Sequence, residues 1–337
     1  MKKYLLPENG NFYKANLHSH SDISDGVLSP EEMKKHYMEQ GYSIIAYTDH
    51  DVLIPHNDLT DENFLALNGY EVEINEFEDN ERFWFSKACH ICLIALEPDN
   101  FKQVCFSGKN YLFGNALKYA DKVEFYEDSA NFVREYTPES ISYIMKQGRE
   151  KGFFVTYNHP GWSLEDYNDY TKYEHMSAME ICNYGACYCG YVDYNPRVYD
   201  DMLRSGKKIF CIAADDNHNG FPDSFGGFIV IKADKLEYRT ITKALEEGNF
   251  YASQGPEIKE LWCEDGKMHV KCSAAYGIYF SSGIRWTHCT VANKGETLEY
   301  ACCDISRLPK DTYVRVTITD HNGKHANSNA YFLNEID

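Results

Sequence analysis

The residues of this chain best suited to chemistry are imidazoles and carboxylates able to share divalent cations: His18, His20, Asp25, His50, Glu71, His90, His159, Asp216 and His218. They are densest in "NLHSHSDISDGVLSP". His18 and His20 alternate along an expected strand, so both rings leave the same face. Asp25 follows in a Ser-Asp-Gly turn. Mixed imidazole and carboxylate donors suit zinc, manganese or iron. A set this rich points to a polynuclear hydrolytic site rather than a structural zinc knot.

Neighbouring candidates read differently. Glu73 shares the strand face of Glu71, which is preferred for its place after Gly69-Tyr70. His90, in "SKACHICL", fits a core strand as well as a ligand position. Asp49 and Asp215 are expected to support ligands rather than bind metal. His36, His56 and His175 lack a matching context and read as surface residues. Cys89 and Cys92 form a Cys-x-x-Cys whose side chains leave opposite faces of a strand, so neither zinc nor redox use is expected. Cys187 and Cys189 have no second pair nearby.

The elements that must position these residues show in the hydrophobic pattern. Over about the first 250 residues, apolar runs such as "SIIAYTDHD", "ACHICLIAL", "GFFVTYNHP", "SAMEICNYG" and "KKIFCIAADDNH" alternate with helical stretches. Ser29-Pro30-Glu31-Glu32 is a capping box with proline at the first helical position, and Gly41 stands where that helix should stop. Thr137-Pro138-Glu139 opens a second helix, with Ile141, Ile144, Met145 and Gly148 on one face. A third runs to Leu245 and stops at Gly248. Such alternation implies an α/β fold with a largely parallel sheet or barrel. His50, His159, Asp216 and His218 each follow the end of an apolar run, and the C-terminal strand ends of an α/β barrel form its active face.

From about residue 254 the runs become short and alternating, and Asn322-Gly323 is a hairpin turn. These features predict a small antiparallel, immunoglobulin-like β-sandwich. The expected organisation is therefore a barrel over 1–253 and a sandwich over 254–337. The aromatic-rich stretch 97–136 reads as an insertion that packs its own subdomain or acts as a lid.

Composition narrows the partners. The chain has 337 residues, 43% of them hydrophobic, and a formal net charge of −19. That balance argues against a nucleic-acid duplex as partner, and an acidic protein that handles an anion needs a local positive centre. No stretch is long and apolar enough to cross a membrane. The start, "MKKYLLPENGNFYK", has too short an apolar patch for a secretory signal, so a cytoplasmic location is expected. The 12 cysteines are scattered, and a disulfide framework is not expected.

The pieces "LHSHSDISDG", "AYTDHD", "NGYEVEI", "CHICLIAL", "YNHP" and "DDNH" resemble, in order, the PHP (polymerase and histidinol phosphatase) superfamily of metal-dependent hydrolases. The resemblance covers about residues 12 to 250. It implies a distorted (β/α)7 TIM-like barrel and two or three divalent ions (zinc, manganese or iron). His18, His20, Glu71 and Asp216 would hold the first ion, and Glu71 would bridge to a second held by His90 and His159. Asp25, His50 and His218 would hold a third; many relatives have histidine at the Asp25 position. Three such ions with their carboxylates and a bridging hydroxide leave a net charge of about +2 when the histidines are neutral, as ligation requires. That centre fits a small phosphomonoester, hydrolysed by the bridging hydroxide. A metal-bound water or His218 is the expected proton donor to the leaving oxygen, with Asp216 the other catalytic candidate. Arg197, Arg134 and Lys87 are the candidate phosphate clamps.

Two other readings stand beside this one. A PHP domain followed by a β-sandwich also resembles ester, carbamate and amide hydrolases. A non-catalytic metal-binding module is the third, although no ligand position is lost.

Overall fold

The computed structural model describes residues 2–77, 85–107, 110–129 and 131–336. Most strands belong to one 14-stranded sheet. Its first part runs, in spatial order, Phe210–Ala214, Ala178–Asn183, Phe153–Tyr157, Ala88–Ala95, Leu65–Asn75, Ile44–Tyr47, Asn11–Asn16, Phe228–Ala233 and Phe250–Ser253. The helices form where capping dictates. Ser29 and Glu32 make the reciprocal capping box of Pro30–Glu39, and Thr137 caps Pro138–Glu150. Gly248, at φ 72°, ends Tyr238–Glu247. Ile141, Ile144, Met145 and Gly148 face the sheet as the periodicity requires. Gly148 permits close approach: a Cβ there would lie 2.6 Å from Leu93 Cδ2.

The sheet is less parallel than the pattern of runs suggests. Asn11–Asn16, Ile44–Tyr47 and Leu65–Asn75 are parallel neighbours, as are Phe153–Tyr157, Ala178–Asn183 and Phe210–Ala214. Between these groups Ala88–Ala95 runs antiparallel to both of its neighbours. The strand direction explains the position of His90. In an antiparallel strand the active edge is reached at the beginning, so His90 stands at the third residue, opposite Glu73.

A closed barrel is not formed. The ladder ends at Phe210–Ala214. Instead of pairing with a strand on its outer side, Cys211 donates its backbone N–H to Asn329 Oδ1 at 3.0 Å. Asn329 Nδ2 in turn donates to the Gly248 and Phe250 carbonyls, each at 3.0 Å. A side-chain amide thus fills the seam. The curled sheet still encloses one apolar core, in which Ala15, Ile44, Leu65, Ile94, Phe154, Ala178, Ile212, Ile229 and Phe250 are all buried.

The last strands continue this sheet. His325–Ser328 pairs with Phe250–Ser253, and Tyr313–Thr319, Gly277–Ser282 and Thr287–Val291 follow. A four-stranded sheet of Lys3–Tyr4, Ile258–Glu264, Lys267–Ala275 and Leu298–Asp304 contributes Leu261, Met268 and Val270 to a core shared with Ile278, Phe280, Val314 and Ile318. The same cluster takes in Met33 and Tyr37 of Pro30–Glu39, so hydrogen bonds and apolar packing both run across the expected boundary at 253/254. The hairpin turn at Asn322-Gly323 is present, with Gly323 at φ 75°.

Within stretch 97–136, Lys102–Gln103 pairs with Glu124–Phe125, and Phe113 lies against His50. Phe106, Leu112, Ala116 and Val123 pack against Ile23 and Val52, which belong to ligand-bearing loops.

Candidate metal centre

The strand ends bring the histidines and carboxylates into one cluster. His18 and His20 lie just past Asn11–Asn16 rather than within a strand, but the extended chain continues. Ser19 between them forms a parallel bridge with Asn217, and His18 Nε2 and His20 Nε2 are 3.1 Å apart. His50 follows Ile44–Tyr47, His159 follows Phe153–Tyr157, and Asp216 and His218 follow Phe210–Ala214. Glu71 projects from Leu65–Asn75. His159 and Asp216 have left-handed backbones, φ 26° and 53°. Such conformations are unfavourable for residues other than glycine and concentrate at functional sites.

Glu71 is the centre of the cluster. Its Oε1 lies 3.1 Å from His18 Nε2, 3.2 Å from His90 Nδ1 and 3.4 Å from His159 Nε2. Its Oε2 lies 3.3 Å from both His20 Nε2 and His50 Nδ1. Asp216 Oδ1 is 3.2 Å from His18 Nε2 and 3.1 Å from His20 Nε2. Asp25 Oδ2 is 3.3 Å from His218 Nε2 and 3.7 Å from His50 Nε2. Three sets of potential ligand atoms fall within a metal's reach: His18, His20, Glu71 and Asp216; His50, Glu71 and His90; and His20, Asp25, His50 and His218. The first set is the one implied by the PHP resemblance. In the second, His50 stands at Glu71 Oε2, while His159 reaches Oε1, the oxygen that His90 also faces. In the third, His20 joins the three expected residues.

The donor chemistry fits divalent cations. Most of the cluster is buried, yet His20 Nδ1, His50 Nδ1, His90 Nε2 and Glu71 Oε2 have no hydrogen-bond partner among the described residues. Orphaned buried polar atoms are costly unless something else satisfies them. The titration behaviour agrees. Burial opposes charge on His18 and His20, but Asp216, Glu71 and their neighbours hold both well above the ordinary imidazole value. Burial likewise opposes charge on His159, yet Glu71 and Asp216 lift it to about 9. Burial and the adjacent His20 lower His50 to about 4. Glu71 and Asp216 are held well below the usual carboxylate range by imidazoles despite their burial.

Asp49 and Asp215 act in support, as expected. Asp49 accepts from the backbone N–H and hydroxyl of both Ser21 and Ser24, at 2.7 to 3.2 Å, and so pins the loop that carries Asp25. Asp215 accepts from Tyr37 Oη and from the N–H groups of Phe225, Gly226 and Gly227. Trp162 packs on His90 and His159, with ring centroids 5.1 and 5.0 Å away, and Phe113 lies 5.3 Å from His50.

Several expectations are corrected. Arg134 is not a free clamp: its guanidinium is buried, 2.6 Å from Asp51 Oδ1, and stacked on Tyr111. Arg197 points to solvent and is held by Asp201 one helical turn on. Lys87 is held by Asp166 and Asp169. Among the described residues, no lysine or arginine pairs with Asp25, Glu71 or Asp216. His56 is buried against Tyr47 rather than on the surface. His218 Nδ1 faces the Asp216 carbonyl at 3.1 Å while Nε2 faces Asp25.

Sequence reasoning did not single out Glu180. It is fully buried, with Oε1 2.7 Å from His18 Nδ1 and Oε2 2.9 Å from the His159 backbone nitrogen. The signal was present: a glutamate in the middle of the apolar run "SAMEICNYG" must be paired to be buried there. Asn158 and Asn183 were missed likewise. They donate to Glu71 Oε1 at 2.9 Å and Asp216 Oδ2 at 3.1 Å.

No family model matches the chain. Among curated proteins it is similar to a 5'-3' exoribonuclease of Haemophilus influenzae, 29% identical over 113 residues. That match spans 33% of this chain and 40% of the relative, well under two thirds of its length. Among solved structures it is similar to a two-domain protein from Bacteroides vulgatus containing a predicted PHP-like metal-dependent phosphoesterase. The identity is 15%, the TM-score 0.45 and the coverage 94% of each chain. It is also similar to an amidohydrolase from Chromobacterium violaceum with bound sulfate and no metal. There the identity is 16%, the TM-score 0.37, and the coverage 70% of this chain and 96% of that one.

Proposed function

We propose that this chain is a PHP-superfamily metal-dependent hydrolase that cleaves a small phosphomonoester. The observation that carries the reading is the convergence of buried imidazoles and carboxylates on Glu71, with orphaned donor atoms aimed into the cluster. His18, His20, Glu71 and Asp216 would hold one divalent ion, Glu71 with His90, His159 and His50 a second, and Asp25, His50 and His218 a third. Zinc, manganese or iron suits these donors. Bound there, such ions supply positive charge for a phosphoryl group and lower the pKa of water toward neutrality.

The chain's own residues hold that arrangement in place. Asn158 and Asn183 orient the carboxylates of Glu71 and Asp216. Trp162 and Phe113 pack against the imidazoles of His90 and His50. The reading assigns His218 to ligation. It takes a small substrate rather than a nucleic-acid strand, since the net charge of −19 disfavours a polyanion held outside the cluster. In this reading residues 254–337 form an accessory β-sandwich and the protein acts in the cytoplasm. Among the described residues, no helix is long and apolar enough to cross a membrane.

A second reading keeps the site and changes the bond. Arg134 and Arg197 are both engaged by aspartates, which favours a substrate without a phosphate group, such as an ester, carbamate or amide. The deciding experiment is phosphate release from a broad phosphomonoester panel by manganese-reconstituted protein, with His159→Ala alongside. Release abolished in the variant supports the phosphoesterase. Turnover of neutral aryl esters without phosphate release, by protein confirmed to hold metal, overturns it in favour of the second reading.

A further inference from the structure

We infer that Glu180 is a positioning residue that ties the first and second metal sites into one unit. The inference rests on the proposed metal centre but not on which bond is hydrolysed.

Glu180 lies within Ala178–Asn183 and is wholly buried. Its two oxygens serve different sites. Oε1 accepts from His18 Nδ1 at 2.7 Å, which holds a proton on that nitrogen, so that once the ring is neutral its Nε2 lone pair lies on the side of Glu71 and Asp216. Oε2 accepts from the backbone N–H of His159 and from Asn183 Nδ2, each at 2.9 Å. Asn183 Nδ2 also lies 3.1 Å from Asp216 Oδ2. One carboxylate therefore reaches His18 directly, His159 through its left-handed backbone, and Asp216 through an amide. These three ligands follow three different strands.

The chemistry of the carboxylate makes the role specific. Every group facing Glu180 is a donor, and an ionised carboxylate accepts on both oxygens. Glutamine has almost the same shape but only one accepting end. In either orientation, its amide N–H groups would confront the His18 Nδ1–H or the donors of His159 and Asn183. In the first orientation His18 is driven to the other tautomer, with a proton on the nitrogen that faces the metal. In the second, the His159 backbone loses its anchor. Glu180→Gln thus disturbs the ligands with little change in volume.

The test uses the full-length protein, stripped of metal and titrated with Co(II), followed by visible absorption and calorimetry. Glu180→Gln is expected to weaken Co(II) binding about 10- to 100-fold, the usual effect of removing a partner of a ligating histidine. It should also alter the d–d spectrum, while the metal-free far-UV circular dichroism stays that of wild type. Added to His18→Ala, the change should cost less than it does alone, because part of its effect passes through His18. Asn183→Ala should reproduce a smaller part of it. Wild-type affinity and spectrum in Glu180→Gln would overturn the inference. If Glu180→Gln does not fold, Glu180→Asp takes its place, since it keeps two accepting oxygens but shortens their reach; an unchanged Co(II) spectrum in that variant also overturns it.

Discussion

Glu71 and His50 meet twice. Their backbones form an isolated parallel bridge past the end of Ile44–Tyr47 but within Leu65–Asn75, and His50 Nδ1 lies 3.3 Å from Glu71 Oε2. The sheet thus extends past its ladder where the ligands sit, and the side-chain geometry inherits its regularity. Glu71 also faces His18, His20, His90 and His159. Glu71→Gln is therefore expected to empty more than one site and lower metal affinity by at least about 100-fold, the upper end of the range for lesser, supporting partners. Metal content after gel filtration, measured by mass spectrometry, checks this. A variant that retains the wild-type stoichiometry would contradict it.

Metal binding should release protons. In the metal-free protein the carboxylates hold His18 and His20 well above the ordinary imidazole value and His159 at about 9. These rings are then protonated at neutral pH, whereas ligation needs them neutral. Apparent affinity should accordingly rise as pH climbs toward the His159 value of about 9 and fall toward acid. Calorimetric titrations with manganese in buffers of different ionisation enthalpy should give different heats. Identical heats in all buffers would show that no proton leaves.

Glu165 predicts a stability change unconnected with metal. It is buried and accepts hydrogen bonds from Tyr136, Tyr157 and Tyr173, and burial raises it to about 7 despite those donors. The folded state then holds this proton more tightly than the unfolded state does. Its contribution is greatest below 4.5 and is lost as pH rises through about 7. The shift corresponds to roughly 3 kcal/mol. Thermal unfolding of metal-free Glu165→Gln, compared with wild type from pH 4 to 8, should show the difference between the two moving in the variant's favour as pH rises. A constant difference would refute the assignment.

Arg134 should matter for stability and not for substrate. Arg134→Met leaves Asp51 buried without its partner, a change that costs about 3–5 kcal/mol. The expected result is a lower Tm with KM nearly unchanged. An unchanged Tm with a raised KM would restore Arg134 as a substrate clamp. Arg197→Ala, on an exposed helix face, should change stability by no more than about 0.5 kcal/mol.

The metal cluster was legible because ligation demands particular residue types, and those types stand out at the ends of apolar runs. Asp216 and His218 could be placed beside His18 from sequence because parallel strands bring their ends to one edge. His90 was harder to place, since periodicity does not reveal that its strand runs the other way. Glu180 escaped for a related reason: a buried glutamate announces that it has partners but not which ones. Arg134 and Arg197 were misjudged because sequence shows a charge without showing the aspartate that neutralises it. The seam at Phe210–Ala214 was invisible, since an asparagine more than a hundred residues away supplies what a neighbouring strand was expected to supply.

That asparagine has a consequence for the order in which the molecule is built. Synthesis delivers Cys211 long before Asn329, because 118 residues separate the two. Non-local contacts form late because loop closure must precede them. Until residue 329 has left the ribosome, the strand leading to Asp216 and His218 keeps an open edge. The outer seam of the strand that leads to Asp216 and His218 is thus closed only after nearly the whole chain has been made.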